Sequence, residues 1–318
     1  MQKLSSKKLS NMIMHENTNE IRKKGINVKI AFIMFDNSEL ITKTSFSLHV
    51  NAAKSIGVEV VEAILPETMN QEEFFQVIDS YNNDVSITGI MFLIPIPDHI
   101  NMVEALNRIS YTKEIEGLHP KNAQILFPTF LEHRPVDLLV PKAVDLLLGF
   151  HNIKYKNANI VVMLDYDLLI ENPIANLVGK YGTSSLLPYE GTLRLVTTKT
   201  NDVKKYLLDA DIVIVSSQQT EIIKSDWIKD DAVLMDFVPT QVGVKYDEKL
   251  KRNVPILKGA VDIESFDKER NIRFFPSIGG IGPVMIAVLL QNAIKTAEFY
   301  NQNSKPVSIG EIKELQKC

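Results

Sequence analysis

The sequence predicts an α/β protein of two lobes, each a parallel sheet covered by helices. Strand-like apolar runs alternate with helical spacing, this alternation pauses near residue 140 and restarts, and short connections link the units. A glycine-rich loop then runs straight into an apolar helix at PSIGGIGPVMIAVLLQN, Pro276 to Asn292. With 318 residues the chain is long enough for two such units.

The elements follow in order. Apolar residues recur at helical spacing from Leu4 to Lys24, and Gly25 stops that helix before the strand VKIAFIMF, Val28 to Phe35. A second helix is predicted from Ser45 to Ile56, ended by Gly57 and followed by the strand VEVVEAIL, Val58 to Leu65. GIMFLIPIP, Gly89 to Pro97, reads as a third strand with prolines at its exit. PKAVDLLLGF, Pro141 to Phe150, is a helix whose proline suits its first turn. Beyond it ANIVVMLDY, LRLVTT, ADIVIVSS, DAVLMDF and the short PILKGAVD read as a second set of strands. The tail after Asn301 is the most linker-like stretch.

Composition narrows the partners. Lys+Arg 35 against Asp+Glu 39 leaves a net charge of -4, which excludes a general attraction to nucleic acid or anionic membrane and favours small molecules or protein. Cys318 is the single cysteine, so an intramolecular disulfide and a cysteine-rich metal site are excluded, and no metal is expected. No run approaches the roughly 18 uncharged apolar residues of a membrane span. Lys3, Lys7 and Lys8 without an acid faintly imitate a presequence, but arginine is absent there and the stretch also opens a helix. A cytoplasmic location is the expectation.

Four segments, in order, carry a resemblance: IPIPDHI from Ile94, KEIEGLHPKN from Lys113, ADIVIVSSQQTEIIKSDWIKDDAVLMDF from Ala210, and FPSIGGIGPVMIAVLLQNAI from Phe275. Together the chain resembles the methylenetetrahydrofolate dehydrogenase/cyclohydrolase family. The resemblance implies a folate-side lobe over residues 1–140 completed by a C-terminal helix over 279–318, and a Rossmann-like NAD(P)-binding lobe over 141–278. It also implies a folate-like substrate and a homodimer joined through the second lobe. The loop with Gly279, Gly280, Gly282 and Pro283 then becomes the crossing back to the folate lobe, its glycines allowing close backbone approach.

Residue by residue, the resemblance places the family's tyrosine and catalytic lysine at Ser45 and His49, counting back from Gly57. Counting forward from Asp36 they fall at Lys43 and Ser47, and neither register supplies the pair. His49 is either an acid or base near neutral pH or a helix histidine without a role, whereas Lys43 and Lys54 read as solvated charges. The family glutamine that orients the lysine is here Leu93, which offers neither donor nor acceptor. The pterin-holding aspartate corresponds to Glu116, with His119, Pro120 and Asn122 shaping the lobe junction.

On the cofactor side, the family's glycine-arginine-serine turn is replaced by a stretch holding Leu164, Asp165 and Tyr166, and the family arginine falls at Leu164 or Asp165 according to where one inserted residue is placed before Pro173 and its following helix IANLVGKYG. No glycine lies between Gly149 and Gly179. Thr198 matches the family serine, Ser217-Gln218 replaces a Thr-Gly pair, and Val238-Pro239-Thr240 replaces Gly-Ile-Asn. In the Asp165 register an acid stands in place of the arginine and disfavours NADP, turning a contact of roughly 1.5–3 kcal/mol into a repulsive one. Any cofactor is therefore expected to be NAD, with Asp165 and Asp167 either accepting from ribose hydroxyls or standing as exposed loop acids. The resulting expectation is a non-catalytic or weakly active relative whose cyclohydrolase step is lost, the alternative being a single-function NAD-dependent dehydrogenase.

Overall fold

The computed structural model describes residues 1–37, 39–119, 121, 136–155, 157–166 and 191–303. It forms two parallel sheets and one hairpin. The expected segments at Pro120, Asn122, Asp167, Pro173, IANLVGKYG and the tail beyond residue 303 lie outside the described residues.

The first sheet is built from β2 (Lys29–Asp36), β3 (Glu59–Pro66) and β4 (Gly89–Phe92), in the order β3-β2-β4 and parallel throughout. Helices α2 (Leu40–Ser55), α3 (Gln71–Asn83) and α4 (Met102–Arg108) connect or cover it. One face packs Phe35, Phe74 and Phe92 edge to face, with ring centroids 5.0 and 5.7 Å apart. The other face joins α1 (Lys7–Lys24), α5 (Leu139–Phe150) and α7 (Gly282–Asn303) in a cluster shared with the second sheet.

The second sheet has the order β1-β11-β8-β7-β5-β6, again parallel in every pair. Its strands are β1 (Gln2–Lys3), β5 (Asn159–Leu164), β6 (Thr192–Thr197), β7 (Ile212–Ser216), β8 (Val233–Asp236) and β11 (Arg273–Phe275), with α6 (Val203–Leu208) crossing from β6 to β7. The chain therefore leaves β5 toward β6 on one side and returns as β7 on the other. That reversal makes the gap beyond the ends of β5 and β7 the switch point of the sheet.

Three differences from the sequence expectation have physical causes. Helix α2 begins at Leu40 rather than Ser45, because the Ile41 amide donates to Gln241 Oε1 at 3.0 Å, a partner 200 residues away. The third strand ends at Phe92; beyond it come Pro95 and Pro97, which have no N–H to donate to a ladder. PILKGAVD does not join the parallel sheet: β10 (Arg252–Lys258) pairs antiparallel with β9 (Thr240–Asp247) as a separate hairpin. Among the described residues no helix is long and apolar enough to cross a membrane.

Candidate functional site

A cleft of about 780 Å³ lies between the sheets. Helix α2 supplies Ser45, Leu48 and His49, the exit of β4 supplies Leu93 and Ile94, and Glu116 and Leu118 come from the loop after α4. Phe237, Pro239 and Leu257 close it from the second lobe, and Ser277, Gly279, Gly282 and Pro283 from the crossing loop. Its wall is mostly apolar, and no lysine or arginine lines it among the described residues. Among the described residues His49 and Glu116 are its two ionisable side chains.

One helical turn separates Ser45 from His49, so His49 Nδ1 lies 2.8 Å from the Ser45 carbonyl. A carbonyl only accepts, so Nδ1 carries the proton and Nε2 is left with the lone pair. Burial holds the imidazole below its ordinary range, its bond to Ser45 opposing this only in part. His49 is accordingly neutral at physiological pH. Leu93, 4% exposed, brings only methyl groups to the same wall.

Glu116 stands on a rigid turn. The buried carboxylate of Glu114 accepts the Glu116 amide at 2.5 Å and the His119 amide at 3.1 Å, while the Glu116 carbonyl accepts from Leu139 at 3.0 Å. Gly117, at φ +82, is required here because a Cβ would come within 2.9 Å of the Asp137 carbonyl. Asn292, fully buried on α7, donates to the carbonyls of Ile115 and Asp137 at 2.9 and 2.8 Å and accepts from the Asp137 amide. Burial first, and the Glu114 charge second, push the Glu116 carboxyl up to about 8. No described residue hydrogen-bonds that carboxyl, which lines the cleft as a neutral acid with one donor and one acceptor oxygen.

At the switch point Asp165 is 6% exposed. Its carboxylate accepts from Ser217 Oγ at 2.6 Å and from the Gln218 amide at 2.6 Å, and its own amide donates to the Ser216 carbonyl at 3.2 Å. Leu164 is fully buried in the core. Tyr166 is 39% exposed, its amide donates to Thr198 Oγ1 at 3.3 Å, and the Lys199 ammonium sits 4.4 Å from its ring centroid. Deeper in, burial raises Asp236 to about 6 despite the amides of Val261 and Ala260.

The comparisons with known proteins agree with this layout. The family model described as the tetrahydrofolate dehydrogenase/cyclohydrolase catalytic domain matches residues 4–116, and that of the NAD(P)-binding domain of the same family matches residues 139–301. The chain belongs to the tetrahydrofolate dehydrogenase/cyclohydrolase family. A bifunctional FolD protein of Desulfatibacillum aliphaticivorans is 29% identical over 255 residues, covering 80% of this chain and 82% of its own. Another from Christiangramia forsetii is 27% identical over 95% of this chain and 97% of its own. The crystal structure of bifunctional FolD from Campylobacter jejuni superposes with a TM-score of 0.76 at 28% identity, covering 94% of this chain and 99% of that one.

Within the family's two-lobe frame, the cleft brings together Ser45, His49, Leu93, Glu116, Gly279, Gly282, Pro283 and Pro239 from the predicted residues. Gly280 is not among its lining residues; it packs against Pro276, whose carbonyl oxygen would lie 2.0 Å from an added Cβ. Leu164, Asp165, Tyr166, Thr198 and Ser217 gather at the switch point instead. The reading of Asp165 as an exposed loop acid is corrected by its burial, which two hydrogen bonds to the end of β7 make affordable. Lys43 and Lys54 are solvated, as expected, in ion pairs with Asp36 and Glu62.

A nicotinamide dinucleotide is what the family's second domain is built to hold, and in such a crevice glycines let backbone amides approach the pyrophosphate. The described residues of the turn do not fit that role. The Gln218 amide at the end of β7 already faces a carboxylate, and Asp165 adds a negative charge there. Sequence reasoning missed Glu114 and Asn292. Asn292 left a signal, being an amide inside the apolar run VMIAVLLQNAI.

Proposed function

We propose that this chain binds a reduced-folate-type ligand in the interlobe cleft and serves folate one-carbon metabolism as a binding or weakly active protein whose cyclohydrolase step is lost. One observation carries the reading: the cleft keeps an acid on a rigid turn, Glu116, but lines the opposite wall with Ser45, a neutral His49 and Leu93. Glu116 can pair with a ring edge that offers an N–H beside an acceptor, and the apolar walls take the faces of a flat ring. Hydrolysis of a one-carbon bridge needs a group that delivers or takes a proton at the attacking water. His49 Nε2 has a lone pair that can take a proton, but burial disfavours the imidazolium this would form, and Leu93 provides no amide to orient the ring or the water. Loss of a positioned acid or base costs about 10²- to 10⁴-fold.

Calorimetric titration with a stable reduced folate, together with the decay of 5,10-methenyltetrahydrofolate absorbance, tests this. Saturable binding with hydrolysis at the buffer rate is expected, and His49→Ala is expected to fold normally and leave that rate within a few-fold. A rate well above buffer that His49→Ala cuts by two orders of magnitude would overturn the reading.

A second reading is a single-function NAD-dependent 5,10-methylenetetrahydrofolate dehydrogenase. The parallel sheet with its switch point, and Thr198 at the end of β6, favour it. Under either reading the protein is a cytoplasmic homodimer joined through the second lobe. Val242, Val244 and Tyr246 support this, since they leave an apolar stripe exposed on β9. Sedimentation equilibrium is expected to return twice the chain mass, and a monomer at micromolar concentration would remove the dimer.

A further inference from the structure

The two strand ends that flank the crevice where this kind of sheet takes a dinucleotide are tied together by a side chain in this fold. Strands β5 and β7 pair from Ile160↔Ile212 to Leu164↔Ser216, and the gap beyond their last pair is the switch point. Asp165 spans that gap: its amide extends the ladder to the Ser216 carbonyl, and its carboxylate takes the Ser217 hydroxyl and the Gln218 amide. Ser217 Oγ accepts in turn from the Gln219 amide at 3.0 Å, so the β7 turn is wound around the acid. Ser217 is fully buried and Asp165 nearly so, which leaves the carboxylate shielded from solvent.

We infer that Asp165 is a fixed latch across the switch point, and that the cleft takes its folate-type ligand without a nicotinamide dinucleotide. Physical chemistry gives the latch its direction. A pyrophosphate approaching this turn meets an amide that is already bound, and a buried negative charge that water screens poorly. Opening the latch strands that carboxylate without its two donors. Each opposes an anionic ligand. The inference goes beyond the folate reading, because it concerns the other lobe and removes the dehydrogenase alternative.

The full chain is titrated with NADH and NADPH, followed by nicotinamide fluorescence, and with NAD and NADP by calorimetry, each to about 1 mM and each with and without a bound reduced folate. No saturable signal is expected. Saturable binding of any of the four overturns the inference. Silence of both the folate and the dinucleotides sinks the proposed function while still supporting the latch, so the two failures are distinguishable.

Amide hydrogen exchange tests the latch itself. The Gln218 amide is expected to be protected in the unaltered chain and to exchange at least about tenfold faster in Asp165→Ala, as bonds broken at a local opening do. Asp165→Asn, which keeps one acceptor oxygen and nearly the same volume, guards against a variant that fails to fold and is expected to fall between them. An unprotected Gln218 amide in the unaltered chain, or protection unchanged in both variants, overturns the inference.

Discussion

Glu116 and Glu114 show how two acids two residues apart take opposite roles. Glu114 is buried and accepts backbone amides, whereas Glu116 faces the cleft with its carboxyl unbonded by any described residue. Its raised value has a measurable sign. Below the ordinary value of 4.5 both folded and unfolded chains hold the proton; from there up to about 8 the unfolded chain ionises while the folded one does not, so stability falls as pH rises through that window. A shift of this size sets an upper bound of about 5 kcal/mol, and solvent in the cleft reduces it to on the order of 1–3 kcal/mol. Glu116→Gln is therefore expected to match the unaltered chain near pH 4.5 and exceed it in urea midpoint above pH 8; parallel profiles would sink the assignment. Glu116 was legible because its segment, KEIEGLHPKN, is contiguous. The burial of Asp165 was not, because its hydrogen-bond partners lie 52 and 53 residues away in the turn that follows β7.

At the scale of elements, the crossing loop before α7 separates its glycines by function. Gly279 needs its φ of +75, Gly280 needs the absence of a Cβ, and Gly282 needs neither, since an added Cβ meets nothing within 4 Å. Gly280→Ala is expected to lower stability by on the order of 1–3 kcal/mol through overpacking against Pro276. Gly282→Ala should stay within about 0.5 kcal/mol. Equal thermal midpoints for the two would refute the distinction. Helix α3 illustrates a different kind of ending. It has no basic residue in its last turn, and the ammonium of Lys113 donates instead to the carbonyls of Tyr81, Asn82 and Asp84. Periodicity revealed the long helices and the apolar strands, because their burial follows from local pattern. It missed β1, β9 and β11: two are only two or three residues long, and the third is an exposed hairpin strand with weak contrast between its faces.

Across the whole molecule, the lobes share one apolar cluster, which holds Phe32 and Val50 of the first lobe and Val162 and Ile214 of the second together with Val288 and Leu289 of α7. Strand β1 also lends the N-terminal segment to the second sheet. One cooperative thermal transition, coincident by near- and far-ultraviolet circular dichroism, is therefore expected. Two separated transitions would show that the shared cluster does not couple the lobes.

The pairing of α1 with α7 has a further consequence for how the chain is made. Ser6, Ser10 and Asn17 donate to the carbonyls of Gly279, Pro283 and Ala287, partners 270 to 273 positions away. At a synthesis rate of about 5–20 residues per second, the first helix waits roughly 14–55 s for its mate to be translated. Through that interval Leu9 and Ile13 have no α7 to cover them, so the nascent chain carries the apolar stripe of this otherwise polar helix uncovered until α7 is made.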